Sequence, residues 1–304
     1  MKTELDHLPA NKRRDLDRIV RILFEEFEDA LGEPTGPRKL GRILKVILFG
    51  SYATGGWVDE PYTKRGYQSD YDLLIIVNQK ELTDRIEYWE KAADRLDREW
   101  SILHRLTAPV NFIVHTLQEV NDGLAHGRYF FMDIARDGIA LYQVDNSELH
   151  EPRPKTPQQA YDMAKAYFDQ WFELAVSSRM GFQFFYDNKQ FPDAAYNLQQ
   201  ACERLYYCVL LVYTFYTPYS HNLKFLRTRA EKISARLVEA WPRETRKQEA
   251  YFNKLKDAYV KARHSEHFKM TEEEFAYLSE RVEVLGTIVN ELCQERLSEL
   301  RAPL

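Results

Sequence analysis

The sequence predicts an α/β domain of the α+β type, with a small mixed sheet, followed by an all-α helical bundle. Ten of the twelve glycines lie before residue 140, and glycine supplies the positive φ angles that tight strand connections need. The same half contains the β-branched runs, bounded by turn residues, that are typical of buried strands. The second half instead carries long apolar patterns with the helical period.

The boundary between the two domains is predicted at a proline-rich connector. Residues 151–157 hold three prolines in seven positions, which makes a stiff linker. Thr156 is a residue type that caps helices, and Pro157 suits the first helical position. We therefore expect a first domain over residues 1–150 and a helical domain over residues 151–304.

The elements of the first half follow from periodicity and composition. A helical apolar pattern precedes the first strand, and strand-like runs alternate with one further helix. The predicted elements are, in order, a helix over 16–31, strands over 43–49 and 72–77, a helix over 83–103, and strands over 110–115 and 139–142. This order gives a small mixed sheet with helices packed on it.

The second half reads as five consecutive helices. Their apolar residues recur with the helical period, and Thr271 followed by Glu274 has the pattern of a capping box. The predicted helices span 156–187, 192–216, 223–240, 244–262 and 271–300. Five such helices predict a bundle.

Composition narrows the classes of function. The formal net charge is −5, from 42 basic and 47 acidic residues, which argues against a broadly basic surface that coats duplex phosphates, so any nucleic-acid contact must be local. Three cysteines without metal-site spacing favour a reducing compartment. No signal-peptide pattern or membrane-length apolar run is found. We expect a cytoplasmic protein without a membrane segment.

The most informative pattern combines a Gly-Ser turn with two aspartates. Gly50 and Ser51 directly follow the strand over 43–49, and Asp70 and Asp72 open the next strand-like run. Side chains alternate along a strand, so the aspartates share a face and offer hard oxygen ligands to divalent metal ions. A Gly-Ser turn presents N–H groups and a hydroxyl to a phosphate. Taken alone, the two aspartates could be only the polar start of a strand, and the Gly-Ser turn only a helix cap. The occurrence of both features together predicts a Mg-bound nucleotide.

These residues resemble the nucleotidyltransferase superfamily of DNA polymerase β, in particular its minimal (MNT) branch and the kanamycin nucleotidyltransferase-like enzymes. The resemblance covers about residues 40–120. It implies that Gly50 and Ser51 bind the triphosphate and that Asp70 and Asp72 bind two Mg²⁺ ions. It also implies that an acceptor group attacks the α-phosphate of a nucleoside triphosphate, for which ATP is the expected substrate, and that pyrophosphate leaves.

The chain departs from the family pattern in two places. Eighteen residues separate Ser51 from Asp70, and the added segment at 57–67 is expected to form either a loop over the site or a plain surface insertion. The strand that should carry a third carboxylate presents Asn111 instead, and an amide cannot act as a base. His115 shares that strand face and is a candidate substitute, although a lone strand histidine is more often structural.

The helical half resembles the HEPN (higher eukaryote and prokaryote nucleotide-binding) domain. The likeness is carried by QQACE at 199–203, by SHNL at 220–223, and by Arg263 followed by His267. It implies nucleotide binding, dimerisation and, in active HEPN ribonucleases, RNA cleavage by the late Arg and His. Here only three residues separate Arg263 from His267, whereas the ribonucleases usually have four to six. A helix end that attracts cations explains the same residues without any activity.

The leading interpretation is a Mg²⁺-dependent nucleotidyltransferase that transfers AMP from ATP to an unknown protein, RNA or small-molecule acceptor. Asp70, Asp72 and Asn111 are its candidate catalytic residues, and the HEPN-like bundle is expected to help bind the acceptor and to form a homodimer. One alternative is a catalytically weak nucleotide-binding regulator of the toxin–antitoxin type, because of Asn111. The other is a HEPN ribonuclease that acts through Arg263 and His267.

Overall fold

The structure is a computed structural model that describes residues 1–32, 41–59, 68–218, 220–264 and 268–302, and only the backbone of residues 263 and 264. The chain divides into two compact units, Met1–Pro154 and Lys155–Leu304. In the described ranges, no helix has both the length and the apolar character needed to cross a membrane.

The first unit consists of six helices and four strands in its described part, together with a short 3-10 helix at Glu81–Thr83. In chain order, its elements are α1 (Ala10–Leu31), β1 (Ile43–Phe49), α2 (Ser51–Thr54), β2 (Tyr71–Val77), α3 (Arg85–Tyr88), α4 (Glu90–Ser101), β3 (Val110–Thr116), α5 (Leu117–Ala125), α6 (Tyr129–Asp137) and β4 (Ile139–Gln143).

The four strands form one mixed sheet in the order β3-β2-β1-β4. β1 is antiparallel to both β2 and β4, whereas β2 and β3 are parallel. The register places Asp72 between Phe49 of β1 and Asn111 of β3. Because side chains directly opposite one another share a face, Asp72 and Asn111 lie on the same side of the sheet.

The two faces of the sheet are covered by different helices. Tyr71, Leu73 and Ile75 of β2 belong to a core that also contains buried residues of α1 and α4. The opposite face meets α6, where Phe49 packs edge-to-face on Phe130 with ring centroids 5.5 Å apart. Asp72 lies between Tyr71 and Leu73 on β2, and side chains alternate along a strand, so its carboxylate is on the opposite face, which meets α6.

The second unit is entirely helical in its described part. Its elements are α7 (Pro157–Asp187), α8 (Phe191–Thr214), α9 (Leu223–Glu231), a 3-10 segment (Ala235–Ala240), α10 (Arg246–His264) and α11 (Glu272–Arg301). Capping boxes begin α7 at Thr156 and α11 at Thr271. Fifteen of the residues of α8 are buried, so this helix forms the centre of the unit. The predicted fold class, a small mixed sheet followed by a helical bundle, is confirmed.

Several element boundaries differ from the predictions. The helix expected over 83–103 is divided at Trp89, whose indole Nε1 donates to the carbonyl of Leu82 over 2.7 Å and whose backbone leaves the helical region. The helix expected over 223–240 ends at Glu231, because Ser234 is extended and caps the 3-10 segment. α5 and α6 had no counterpart in the prediction. α1 begins at Ala10, six residues before the expected start.

Candidate functional site

The Gly-Ser turn lies directly against the aspartate strand. Gly50 follows β1 and caps α2 with φ +74° and ψ −150°, a conformation that a residue with a Cβ adopts only with strain. A Cβ added to Gly50 would lie 2.6 Å from Oδ2 of Asp72. The site therefore requires glycine here for two reasons, the positive φ and the close approach of the turn to a carboxylate.

The two predicted aspartates are both buried and lie two residues apart at the start of β2. Asp70 is 9% exposed and Asp72 is 1% exposed. Burial of an ionised carboxylate is costly unless a cation or hydrogen bonds compensate it. Two aspartates on one strand face place two hard oxygen ligands side by side, which is the chemistry that a divalent cation prefers.

Asn111 contacts Asp70 rather than lying apart from it. Its Nδ2 donates a hydrogen bond of 2.8 Å to Oδ2 of Asp70, and its Cα is paired with that of Asp72 in the parallel register. The structure thus brings together Asp70, Asp72 and Asn111, the three candidate catalytic residues named from the sequence. An amide in this position orients a carboxylate but does not accept a proton from a hydroxyl group.

Ser51 presents a hydroxyl group that has no partner in the described part of the chain. Its Oγ is buried and makes no hydrogen bond to any residue that the structure describes. Buried polar groups are almost always hydrogen-bonded, so such an exception calls for an explanation. A phosphate oxygen bound at this turn would accept a hydrogen bond from Ser51 Oγ.

The residues of this site fit a magnesium ion that is shared with a nucleotide. In proteins Mg²⁺ commonly takes one or two carboxylates together with substrate phosphates and water, rather than a cage made only of protein ligands. Asp70 and Asp72 supply the two carboxylates. No cluster of three or more His, Cys, Asp or Glu side chains suited to a metal occurs in the described ranges, so any bound metal would need ligands from the nucleotide or water.

The ends of the segment between Ser51 and Asp70 are anchored to each other. Asp59 and Gln68 form an antiparallel bridge, and the backbone N–H of Val58 donates to Ser69 Oγ over 2.9 Å. Residues 60–67 of the predicted insertion lie outside the described residues. The base of the insertion is therefore ordered next to the strand that carries the aspartates.

A buried lysine fastens this base to α1. Lys12 is 2% exposed, and its Nζ donates to Asp59 Oδ2 over 3.1 Å and to Thr107 Oγ1 over 2.8 Å. It also lies 5.3 Å from the ring centroid of Trp57 and 5.4 Å from that of Tyr52, which is cation–π range. Burial raises the pKa of Tyr52 above its ordinary value, so this hydroxyl stays protonated.

Sequence reasoning missed this network, although α1 contained a signal for it. Lys12 and Asp15 share the helix face of Leu16 and Ile19, where apolar residues are expected. Asp15 Oδ2 accepts hydrogen bonds from Tyr71 Oη (2.9 Å) and from the backbone N–H (2.8 Å) and Oγ1 (2.6 Å) of Thr107. Charged residues on an apolar helix face indicate a buried polar network, and Lys12 and Asp15 form such a network here.

We expect Lys12→Met to lower the free energy of unfolding by about 2 kcal/mol, because Asp59 and Thr107 each lose the hydrogen bond that Lys12 donates and Asp59 loses its counter-charge. Urea unfolding would measure the change. Lys91→Met is the matched control, since Lys91 pairs with Asp29 on the surface and exposed pairs contribute little. An equal effect of the two substitutions would show that the buried network is not stabilising.

His115, the candidate substitute base, is engaged at the other end of β3. It lies four residues beyond Asn111, which is about 13 Å along a strand. Its Nδ1 is 3.1 Å from Oε2 of Glu119, and Lys80 contacts the other carboxylate oxygen of Glu119. The structure therefore places His115 in a separate ion-pair cluster rather than beside the aspartates.

This cluster gives a pH-dependent contribution to stability. The hydrogen bond from His115, together with those from Lys80 and the Thr116 backbone, lowers the pKa of Glu119 from 4.5 to about 2. A lowered carboxyl pKa stabilises the fold above the unfolded value, and this stabilisation is lost as the pH falls through the folded value. We expect Glu119→Gln to reduce stability at pH 7, with the difference from the original protein shrinking between about pH 4.5 and pH 2. Chemical unfolding across this range measures it, and a difference independent of pH would contradict the assignment.

The predicted HEPN residues are described only in part. The backbone of Arg263 lies near the end of α10, and His267 lies outside the described residues. The predicted pairing of Arg263 with His267 therefore stays a prediction from the sequence.

Comparison with known families agrees with the geometry at the Gly-Ser turn and the aspartates. Residues 38–121 match the family described as polymerase beta, nucleotidyltransferase. The match contains Gly50, Ser51, Asp70, Asp72 and Asn111, and it supports nucleotidyl transfer as the general activity of the first unit. No curated protein matches the chain. The family match ends before the helical unit, so the HEPN and MNT assignments stay predictions.

Proposed function

We propose that the protein is a Mg²⁺-dependent nucleotidyltransferase that transfers AMP from ATP to an acceptor. The observation that carries the proposal is the contact between the Gly-Ser turn and the aspartates, where a Cβ at Gly50 would lie 2.6 Å from Asp72 Oδ2. This contact holds a phosphate-binding turn and a pair of buried carboxylates within one site. The family match over residues 38–121 supports the same general chemistry.

Four residues of the site would bind the phosphate or the metal ion, and Asn111 would orient a metal-binding carboxylate. Ser51 Oγ donates to a phosphate oxygen, and Gly50 lets the chain approach that phosphate without a side chain between them. Asp70 and Asp72 would hold Mg²⁺, and an ion bound there would supply positive charge opposite the charge that develops on the phosphates during transfer. Asn111 fixes the orientation of the Asp70 carboxylate through its 2.8 Å hydrogen bond.

Nucleotidyl transfer can be tested with ATP labelled at the α-phosphate. The protein is incubated with Mg²⁺ and this ATP, first alone, so that the protein itself can serve as acceptor, and then with RNA or with small hydroxyl- or amine-bearing molecules. The labelled products are then separated. The proposal expects label on one of these acceptor classes, with pyrophosphate released in equal amount. Pyrophosphate release without labelled acceptor would indicate hydrolysis, and the absence of both would contradict transfer.

A second candidate, a catalytically weak nucleotide-binding regulator, is favoured by one observation. Asn111 donates to a carboxylate that is proposed to bind metal, in the position where the resemblance to the family led us to expect a third carboxylate. General-base assistance typically contributes a rate factor of about 10² to 10⁴, and an amide does not supply it. In this case Mg²⁺-ATP binds tightly but transfer is slow.

We expect Asn111→Asp to raise the transfer rate at least about tenfold in Mg²⁺, because a carboxylate beside the acceptor adds a proton acceptor and a metal ligand. Asn111→Ala is the control, since it removes the same hydrogen bond without adding charge, and we expect it to lower the rate. Single-turnover assays with labelled ATP separate the two variants. A similar fall in both variants would show that the amide itself is needed.

We also propose that the helical unit binds the acceptor and forms a homodimer. Val176, Met180 and Phe184 are four residues apart on α7 and are 45%, 69% and 62% exposed, which gives one apolar stripe on this helix. A second copy of the chain is the occupant that fits the predicted homodimer. Sedimentation velocity tests the homodimer, because a monomer at micromolar concentration would contradict it.

The HEPN ribonuclease is the other alternative, and loss of RNA cleavage in His267→Ala would support it.

A further inference from the structure

Four buried polar groups of the second unit have no hydrogen-bond partner among the residues that the structure describes. They are Tyr206 Oη, Arg227 Nε, Trp241 Nε1 and Arg243 Nε, and we call these four side chains the donor cluster. Tyr206 is fully buried and Trp241 is 2% exposed, so bulk water does not reach either of them. Because buried polar groups are almost always hydrogen-bonded, four exceptions in one unit call for an explanation.

The four groups lie around a single carboxylate, that of Glu231 on α9. Arg243 Nη2 donates to both oxygens of Glu231. Arg227 Nε lies 3.7 Å from Oε1 of the same carboxylate, which is too long for a hydrogen bond. Arg227 and Trp241 both lie close enough to Tyr206 to affect the pKa of its hydroxyl group. The donor cluster is therefore one place in the unit rather than four.

The ring of Phe252 on α10 holds two members of the donor cluster in position. The indole of Trp241 packs edge-to-face on this ring with centroids 4.8 Å apart, and the Arg227 guanidinium lies 4.0 Å from the ring centroid. Although Trp241 and Tyr206 are neighbours, the two groups do not have the geometry of a hydrogen bond. Their missing acceptor must therefore be a third group.

The donor cluster has an excess of one positive charge, because Arg227 and Arg243 share the single carboxylate of Glu231. The Arg227 side chain is 12% exposed and that of Glu231 is 3% exposed, so water screens these charges poorly. Burial and the neighbouring Arg243 lower the pKa of Arg227 below its ordinary value, although an arginine stays protonated in a protein. One negative charge would balance the cluster.

An anion suits these groups better than a water molecule does. Arg227 Nε, Trp241 Nε1 and Arg243 Nε can only donate, and both oxygens of Glu231 already accept from Arg243. A water molecule would bring two further donors to a place that is short of acceptors. An anion only accepts, and hydrogen bonds to a charged acceptor are the stronger kind.

We propose that the donor cluster binds one small, singly charged inorganic anion of about the size of chloride. Its charge balances the excess of one positive charge, and a small ion fits a site that is enclosed by Tyr206 and Trp241. The donors come from α8, α9 and the residues that follow the 3-10 segment. A bound anion would therefore connect these elements and stabilise the second unit, independently of nucleotidyl transfer.

Thermal unfolding of the full chain at increasing chloride concentration tests the proposal. The protein is first dialysed into gluconate, a singly charged anion much larger than chloride, and the two salts are then exchanged at constant ionic strength. We expect the unfolding temperature to rise with the logarithm of the chloride concentration, as it does for a ligand that binds only the folded state. No dependence on chloride, or stabilisation by sulfate and phosphate but not by chloride, would overturn the proposal.

Tyr206→Phe and Trp241→Phe each remove one donor from the site. We expect each variant to bind chloride about tenfold more weakly, because a hydrogen bond to a charged acceptor is lost. In gluconate alone, Tyr206→Phe should be at least as stable as the original protein, since it removes a buried hydroxyl group that has no partner in the described ranges. A chloride affinity that is unchanged in both variants would overturn the site.

Tyr213→Phe is the matched control on the same helix. Tyr213 Oη donates to the carbonyl of Leu292 over 3.0 Å, so its loss should lower stability by the same amount in gluconate and in chloride. We expect the chloride affinity of this variant to equal that of the original protein. A loss of affinity as large as that of Tyr206→Phe would show that the effect does not come from the donor cluster, and it would overturn the site.

Discussion

Asp72→Asn is expected to lower the rate of nucleotidyl transfer about a thousandfold or more. The change keeps the shape of the side chain but removes one of two buried carboxylates that are proposed to hold Mg²⁺. Stabilisation of transition-state charge by a metal contributes several kcal/mol, and each ~1.36 kcal/mol corresponds to a factor of ten in rate. Label transfer from α-labelled ATP to the identified acceptor measures the loss.

A control for this experiment is Asp94→Asn, because Asp94 is an exposed carboxylate on α4. We expect its transfer rate to equal that of the original protein. Circular dichroism should show that both variants remain folded. A folded Asp72→Asn variant that transfers label at the original rate would remove Asp72 from the site.

Gly50→Ala is expected to reduce transfer about a hundredfold. The new Cβ would lie 2.6 Å from Asp72 Oδ2, so either the carboxylate or the turn must shift. A displacement of about 1 Å at a reacting centre is enough to cost about a hundredfold in rate. The backbone strain of φ +74° adds a loss of stability. Kinetics and urea unfolding of the same variant measure the two effects.

Gly55→Ala is the control that separates the steric clash with Asp72 from the backbone strain of a positive φ. Gly55 also has a positive φ of +81°, but the nearest atom to an added Cβ is His7 Cδ2 at 4.0 Å. We therefore expect a similar loss of stability with little loss of transfer rate. If both variants lost activity equally, the contact between Gly50 and Asp72 would not explain the glycine.

The sequence nominated the candidate site because its residues carry local signals. Gly50 and Ser51 follow a strand, and Asp70 and Asp72 share one face at the start of the next, while their roles in transfer are what the resemblance to the family implies. The strand predicted over 110–115 also placed Asn111 correctly, and the parallel register then brought it to Asp70.

The remaining features depend on contacts between distant residues. Lys12 donates hydrogen bonds to Asp59 and Thr107, which lie 47 and 95 residues away in the sequence. No local sequence pattern predicts which residues these partners are. The interruption at Trp89 involves a closer partner, because its indole Nε1 donates to the carbonyl of Leu82 only seven residues earlier, yet helical periodicity does not predict this contact either. His115 was named as a candidate substitute base because it shares a strand face with Asn111, and its contact with Glu119 favours the structural alternative, since a shared face does not give the distance along the strand.

The most direct test of the central claim is a calorimetric titration with a non-hydrolysable ATP analogue, with and without Mg²⁺, which needs no acceptor. The proposed site at Gly50, Ser51, Asp70 and Asp72 predicts binding that is strengthened at least about tenfold by Mg²⁺. It also predicts that Asp72→Asn abolishes this strengthening, because the variant loses a metal ligand. Binding that is independent of Mg²⁺ and unchanged in Asp72→Asn would contradict the claim.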